Sequence, residues 1–136
     1  MFASSCDSTT KETTTQPIFT EGCCINEWTK VGEDADGDTT YYLGYETIQK
    51  GEEYVYFWTL VDYSKPIDGD LSVKIYPEVD CGTPRKYRYL SWLWHKQSMG
   101  EGSFETRTPK DDPKWVYPPP GSSAENMLEA VCNHVK

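Results

Sequence analysis

Histidine is nearly missing from this chain, with 2 in 136 residues. His95 and His134 stand far apart in sequence, and neither belongs to an HExxH helix. The chain also lacks a nucleophile elbow, a phosphate-cradling loop and a dinucleotide fingerprint. The acid pair Asp111-Asp112 falls in a polar loop, a poor setting for a general acid. A non-enzymatic protein is therefore expected, with no cofactor.

Positive charge is also in short supply. Lys and Arg number 13 against 22 Asp and Glu, a net charge of -9, which opposes binding to nucleic acid or to an acidic lipid surface. The local run Arg85, Lys86, Arg88 reads as one solvated strand face. No stretch of 18 apolar residues exists, so no membrane-spanning helix is expected. The 5 cysteines, at Cys6, Cys23, Cys24, Cys81 and Cys132, show none of the paired spacing of a zinc site. Disulfides in an oxidising compartment are the better reading.

Aromatic residues, by contrast, are plentiful at 14%, although the mean hydropathy is -0.70. That split describes an aromatic core inside a polar surface. One domain is expected at this length, burying roughly two-thirds of its unfolded surface.

The aromatic content peaks from Tyr54 to Tyr63, where β-branched and aromatic residues predict a central strand. Alternation sends Tyr54, Tyr56, Trp58 and Leu60 to one face, and Val55, Phe57, Thr59, Val61 and Tyr63 to the other. Both faces are apolar. A helix should cover one of them, and a second layer or a partner chain the other.

The first twenty residues are rich in Ser and Thr and have no hydrophobic period, so residues 1–22 are assigned to a flexible tail. Within it, Phe2-Ala3-Ser4-Ser5-Cys6 resembles the end of a bacterial lipoprotein signal and makes Cys6 a candidate lipidation site. Residues 23–136 form the expected domain. Short strands are predicted at Ile25–Val31, at Thr40–Tyr45 continuing through Thr47-Ile48, at Leu71–Tyr76 and at Ser103–Thr106.

Between the first two, Asp34, Asp36 and Asp38 match the opening ligand positions of a calcium loop, but Thr39 and Tyr45 stand where that loop needs Gly and Glu. An Asp-Gly hairpin turn accounts for the same residues. Lys86–His95 predicts a second aromatic strand, with Tyr87, Tyr89, Ser91 and Leu93 in one row and Arg88, Leu90, Trp92 and Trp94 in the other. The Pro-interrupted stretch from Thr108 to Pro120 should be a loop anchored by Trp115.

The C-terminus predicts a helix capped by Ser122, with Glu125 reaching back. Ala124, Met127, Leu128, Val131, Cys132 and Val135 share one stripe. Cys132 on that stripe and Cys81 at a strand end the helix should cross make the preferred disulfide. Cys23 and Cys24 have no assigned partners.

Trp28, the pair Tyr41-Tyr42, the strand Val55–Leu60, Asp80-Cys81, Arg85 and Ser98-Met99-Gly100-Glu101-Gly102, followed by Trp115, Pro120-Gly121-Ser122 and Val131-Cys132, together resemble the bacterial surface-adhesin protein E family. The likeness spans roughly residues 25 to 135. It implies an α+β fold, an antiparallel sheet of about six strands with one C-terminal helix packed on one face and tied by a disulfide. It also implies dimerisation, adhesion to extracellular proteins, and an exported location in the bacterial periplasm or at the outer-membrane surface. The adjacent pair Cys23-Cys24 departs from the family pattern.

Two functional readings follow. In the first, an aromatic sheet face made of Tyr54, Tyr56, Trp58, Tyr89, Trp92 and Trp94 binds a second copy of the chain or an envelope or extracellular protein. In the second, Trp92, Trp94 and His95 line a pocket for a small apolar or haem-like ligand.

Overall fold

The computed structural model describes residues 27–136; Cys6, Cys23, Cys24 and Ile25 lie outside them. Six strands form a single antiparallel sheet whose spatial order equals their order in the chain. They are β1 (Thr29–Glu33), β2 (Thr39–Lys50), β3 (Val55–Ile67), β4 (Asp70–Asp80), β5 (Lys86–His95) and β6 (Phe104–Arg107), followed by helix α1 (Ser123–His134). Such a meander needs only tight reversals. Between β3 and β4 the reversal is made by Asp68 and Gly69, both at positive φ (51° and 86°), with Ile67 paired to Asp70. This two-residue turn matches the right-handed twist of the strands it joins. Pairing therefore persists to the turn, and β3 runs through Pro66 beyond its expected end at Tyr63.

Strand β4 is longer than expected as well, because Pro77 does not stop it. Pro77 is buried within β4 at an irregularity in the pairing with β5. Tyr76 faces Ser91 while Pro77 faces Tyr89, so Leu90 is an extra residue on β5, a β-bulge. The bulge corrects the expected rows of β5. Tyr87 and Tyr89 fall on the same face as Trp92 and Trp94, opposite Val79, Pro77, Ile75 and Val73.

Helix α1 begins as its residues require. The Ser122 side chain accepts a hydrogen bond from the Glu125 amide at 3.1 Å, and the Glu125 carboxylate accepts from the Gly121 amide at 2.7 Å, one residue earlier than in the usual reciprocal cap. Met127, Leu128, Val131 and Cys132 pack onto Leu43, Val55, Phe57, Val79 and Tyr87. Each large apolar side chain buried there contributes roughly 1.5–3 kcal/mol. Cys81 and Cys132 form a disulfide with Cα atoms 5.7 Å apart, joining the helix to the end of β4.

The opposite face of the sheet was expected to need a second layer or a partner; the chain's own loops close much of it. Trp58, Leu60 and Leu93 are fully buried there. After β5, a 3-10 turn (Ser98–Gly100) folds back over this face. The Met99 amide donates to Asp62 Oδ1 at 2.7 Å and the Gly100 amide to Ser72 Oγ at 2.8 Å. Gly100, at φ 68°, lies so close that a Cβ would stand 2.8 Å from Lys74 Cε; only glycine fits without a shift.

Candidate functional site: an aromatic cleft beyond the helix

A helix of 12 residues is about 18 Å long, whereas a strand of 13 residues such as β3 extends about 40 Å. Among the described residues, one end of the face that α1 covers is therefore left without a helix. There Val61, Val73 and Ile75 form a buried floor, and Tyr41, Tyr63, Tyr89, Trp92 and Trp94 pack around it half-buried. The rings come from three strands, and pairing explains their common face: Tyr41 lies opposite Val61, Trp94 opposite Val73 and Trp92 opposite Ile75.

Ring contacts within the cleft are loose. Tyr63 and Trp94 are within 7° of parallel with centroids 6.5 Å apart, near the outer limit of direct ring attraction. Tyr89 meets Trp92 edge-on at 6.1 Å. One rim is the β1–β2 hairpin, where the Tyr41 hydroxyl donates to Asp34 Oδ1 at 3.2 Å. Burial, followed by the Asp34 charge, pushes the Tyr41 pKa up to about 12. Tyr63 is raised by the same two causes, and Tyr89 is raised by burial and then by Tyr87. All three phenols thus stay neutral at physiological pH. The other rim is β6, where Glu105 lies opposite Trp94 and Arg107 opposite Trp92. These two hold each other at 3.0 Å.

The expected interaction surface is thereby divided. Tyr89, Trp92 and Trp94 lie together in the cleft; Tyr54, Tyr56 and Trp58 belong to the other face. Trp58 is 0% exposed and is removed from any surface. Tyr56 donates to Glu78 Oε2 at 2.6 Å, and Arg88 Nε donates to Glu78 Oε1 at 2.6 Å. Burial, then that hydrogen bond, raises the Tyr56 pKa to about 12. Tyr54 packs on Trp115, with centroids 5.1 Å apart. Over the same indole lie the Arg88 guanidinium at 4.2 Å and the Lys86 ammonium at 4.8 Å. The Lys86 and Arg88 side chains, expected on a solvated face, instead clamp the Pro-rich loop through its anchor Trp115.

His95 does not join Trp92 and Trp94. It pairs with Ser72, faces the opposite side of the sheet, and is buried to 2% exposure with its ring 4.9 Å from Phe104. The Gly102 and Glu101 backbone lies close enough to favour the charged ring, but neither ring nitrogen makes a well-aligned hydrogen bond. Burial first, and the nearby Lys74 second, lower its pKa to about 4. The expected pocket lined by Trp92, Trp94 and His95 is therefore not formed, because strand alternation parts the histidine from the tryptophans.

Asp34, Asp36 and Asp38 also serve separate ends. Asp36 accepts from the Asp38 amide at 2.9 Å and Asp38 from the Ser64 hydroxyl at 3.0 Å, the bonding of a turn. Among the described residues no cluster of His, Cys, Asp and Glu is placed to hold a metal, and no helix is long and apolar enough to cross a membrane. A shallow depression of about 240 Å³ lies beside the disulfide, lined by Lys50, Tyr54, Arg85 and Cys132 among others.

Tyr41 and Tyr63 complete the cleft and were not among its expected members. Tyr63 could have been found, since alternation puts it in the Val61 row; Tyr41 needed the pairing of β2 with β3.

The profile of one family, Surface-adhesin protein E, matches residues 28–133. The chain belongs to the surface-adhesin protein E family. Solved structures similar to it include three of Haemophilus influenzae protein E. Crystal form II has a TM-score of 0.57 at 18% identity, covering 79% of this chain and 90% of that one. A second has a TM-score of 0.56 at 17% identity, covering 79% and 95%, and the selenomethionine form 0.55 at 17%, covering 76% and 85%. At these identities the likeness to protein E concerns the fold: the six-stranded sheet, the C-terminal helix and the bond between Cys81 and Cys132. No curated protein matches the chain in sequence.

Proposed function

We propose that this protein is a non-catalytic, adhesin-like module of the bacterial envelope that binds an extracellular or envelope protein through its aromatic cleft. One observation carries the reading: half-buried Tyr41, Tyr63, Tyr89, Trp92 and Trp94 share the part of a sheet face that α1 leaves bare. Trp and Tyr are the side chains that most often dominate binding energy at protein interfaces. Membership of a surface-adhesin family supports export and a surface role.

In the fuller form of this reading, residues 1–22 tether the domain, Cys6 carries the lipid, and the outer-membrane surface or periplasm is its location. A homodimer is one assembly in which such a module would work. Mass spectrometry of the protein made in a bacterial host should find acyl groups on Cys6; an unmodified Cys6 removes the anchor. Light scattering at high micromolar concentration should show a mass above the monomer, and a strict monomer removes the dimer.

The binding role is tested by surface plasmon resonance against a panel of purified extracellular-matrix proteins. A ligand found with the wild type should lose most of its binding to a Tyr63→Ala, Trp92→Ala double variant. Equal binding by that variant, or no binding of the panel by the wild type, would count against the cleft.

A further inference from the structure

Each face of the sheet presents tryptophan, but the two faces treat it differently. On the loop-covered side, Trp115 carries Arg88 at 4.2 Å and Lys86 at 4.8 Å over its ring. Both are cation–ring contacts. In the cleft, Trp92, Trp94 and Tyr63 pack on one another, on Tyr89 and on the aliphatic floor of Val61, Val73 and Ile75. The faces of these rings are electron-rich and attract cations, more strongly where water is partly excluded.

The charges around the cleft have the sign that would favour such a cation. Asp34, bonded to the Tyr41 hydroxyl, stands at one rim with Asp36 and Asp38 in the same hairpin. None of the three is in an ion pair among the described residues. At the other rim Glu105 stands beside Trp94, and the one cation there, Arg107 opposite Trp92, is already held by Glu105. A second copy of the chain would set these carboxylates against their own kind, on a protein of net charge -9. Charge complementarity therefore selects a basic occupant over a self-contact at this face.

We infer that the cleft receives arginine or lysine side chains from an extended segment of a partner protein, with the rings of Trp94, Trp92 and Tyr63 taking the cation and Asp34 pairing with it. The inference rests on the binding role proposed above and names the chemistry of the partner.

The probe is an arginine-bearing Gly/Ser peptide, compared with the same peptide carrying citrulline, which keeps the shape of arginine and drops its charge. Titration is followed by ¹H–¹⁵N spectra of the full chain. The arginine peptide should shift the indole resonances of Trp92 and Trp94 and bind at least about fivefold more tightly than the citrulline peptide. Asp34→Asn, on an exposed turn, should weaken binding severalfold, and Trp94→Leu should remove the Trp92 shift. The charge-matched controls Asp111→Asn and Asp112→Asn, each made singly in the Pro-rich loop, should leave binding unchanged.

Equal binding of the two peptides overturns the inference, as do indoles that fail to shift. A loss from either the Asp111 or the Asp112 change as large as that from Asp34→Asn also overturns it, since the attraction would then be to overall charge. Should Trp94→Leu fail to fold, Asp34→Asn decides alone. A protein ligand that needs Trp94 but ignores Asp34→Asn would keep the proposed function while removing this inference.

Discussion

Tyr89 and Trp92 meet edge-on with ring centroids 6.1 Å apart, although they are three positions apart on one strand and would face opposite ways if that strand were regular. The extra residue Leu90 between Ser91 and Tyr89 turns them to a common face. It sets Tyr87 into the core beneath α1 and Trp92 and Trp94 into the cleft.

Deleting Leu90 should therefore be tolerated far better than deleting Leu93, which lies in the regularly paired part of the same strand. Without Leu90 the strand alternates regularly and keeps Tyr87, Tyr89, Trp92 and Trp94 on one face. Without Leu93 one of the two tryptophans is forced to the wrong face, which should lower stability by several kcal/mol, on the scale of losing a buried aromatic side chain. Chemical denaturation followed by tryptophan fluorescence measures it. A Leu90 deletion as damaging as the Leu93 deletion would show that Leu90 is not the extra residue.

The disulfide should contribute strongly. Cys81 and Cys132 are 51 positions apart, and a cross-link closing a loop of that length contributes about 4 kcal/mol in the chain-entropy account. The double variant Cys81→Ala, Cys132→Ala should lose stability of that order in denaturant titrations. Wild type with reductant should behave alike, and an unchanged midpoint in both would remove the helix's tie as a source of stability.

Acid should weaken the fold through His95. Its ordinary value of 6.5 falls to about 4 in the folded protein, so below neutrality the unfolded chain takes up this proton before the folded one does. The stability that the neutral ring allows is present above pH 6.5, declines as pH falls, and levels off below about 4. The loss should reach at most about 3 kcal/mol. His95→Phe should flatten the decline between pH 6.5 and 4 in thermal melts, and a variant with the wild-type slope would assign the acid sensitivity to other groups.

Trp115→Ala should release the Pro-rich loop. The indole has Tyr54, Lys86 and Arg88 against it, and losing those contacts should cost about 1–3 kcal/mol. Limited proteolysis should then cut between 108 and 120 several times faster, while binding at the cleft on the other face stays unchanged. Unaltered cutting would mean that the Tyr87–Val116 backbone bridge holds the loop by itself.

Local order was legible in the chain because its causes are local. The capping pair Ser122 and Glu125, the apolar stripe through Cys132, the turn at Asp68-Gly69 and the alternation from Tyr54 to Tyr63 each depend on residues a few positions apart. Together they yield the six strands, the helix and even the cysteine pairing. What no local pattern carries is register: which residue of one strand lies opposite which residue of the next. Leu90 has nothing in its neighbourhood to mark it as the extra residue, and the pairing of β4 on past Tyr76 through Pro77 is seen only beside the bulge of β5. Nor does alternation say which loop folds over which face, so Trp58 looked as available as Trp94 until the turn at Gly100 and the clamp on Trp115 closed that side. The sequence by itself determined the elements, their apolar sides and their sulphur tie. Only the tertiary structure decided that Tyr41, Tyr63 and Trp94, contributed by separate strands, would stand together in the open, because side-chain company across a sheet is set by pairing and coverage rather than by spacing along the chain.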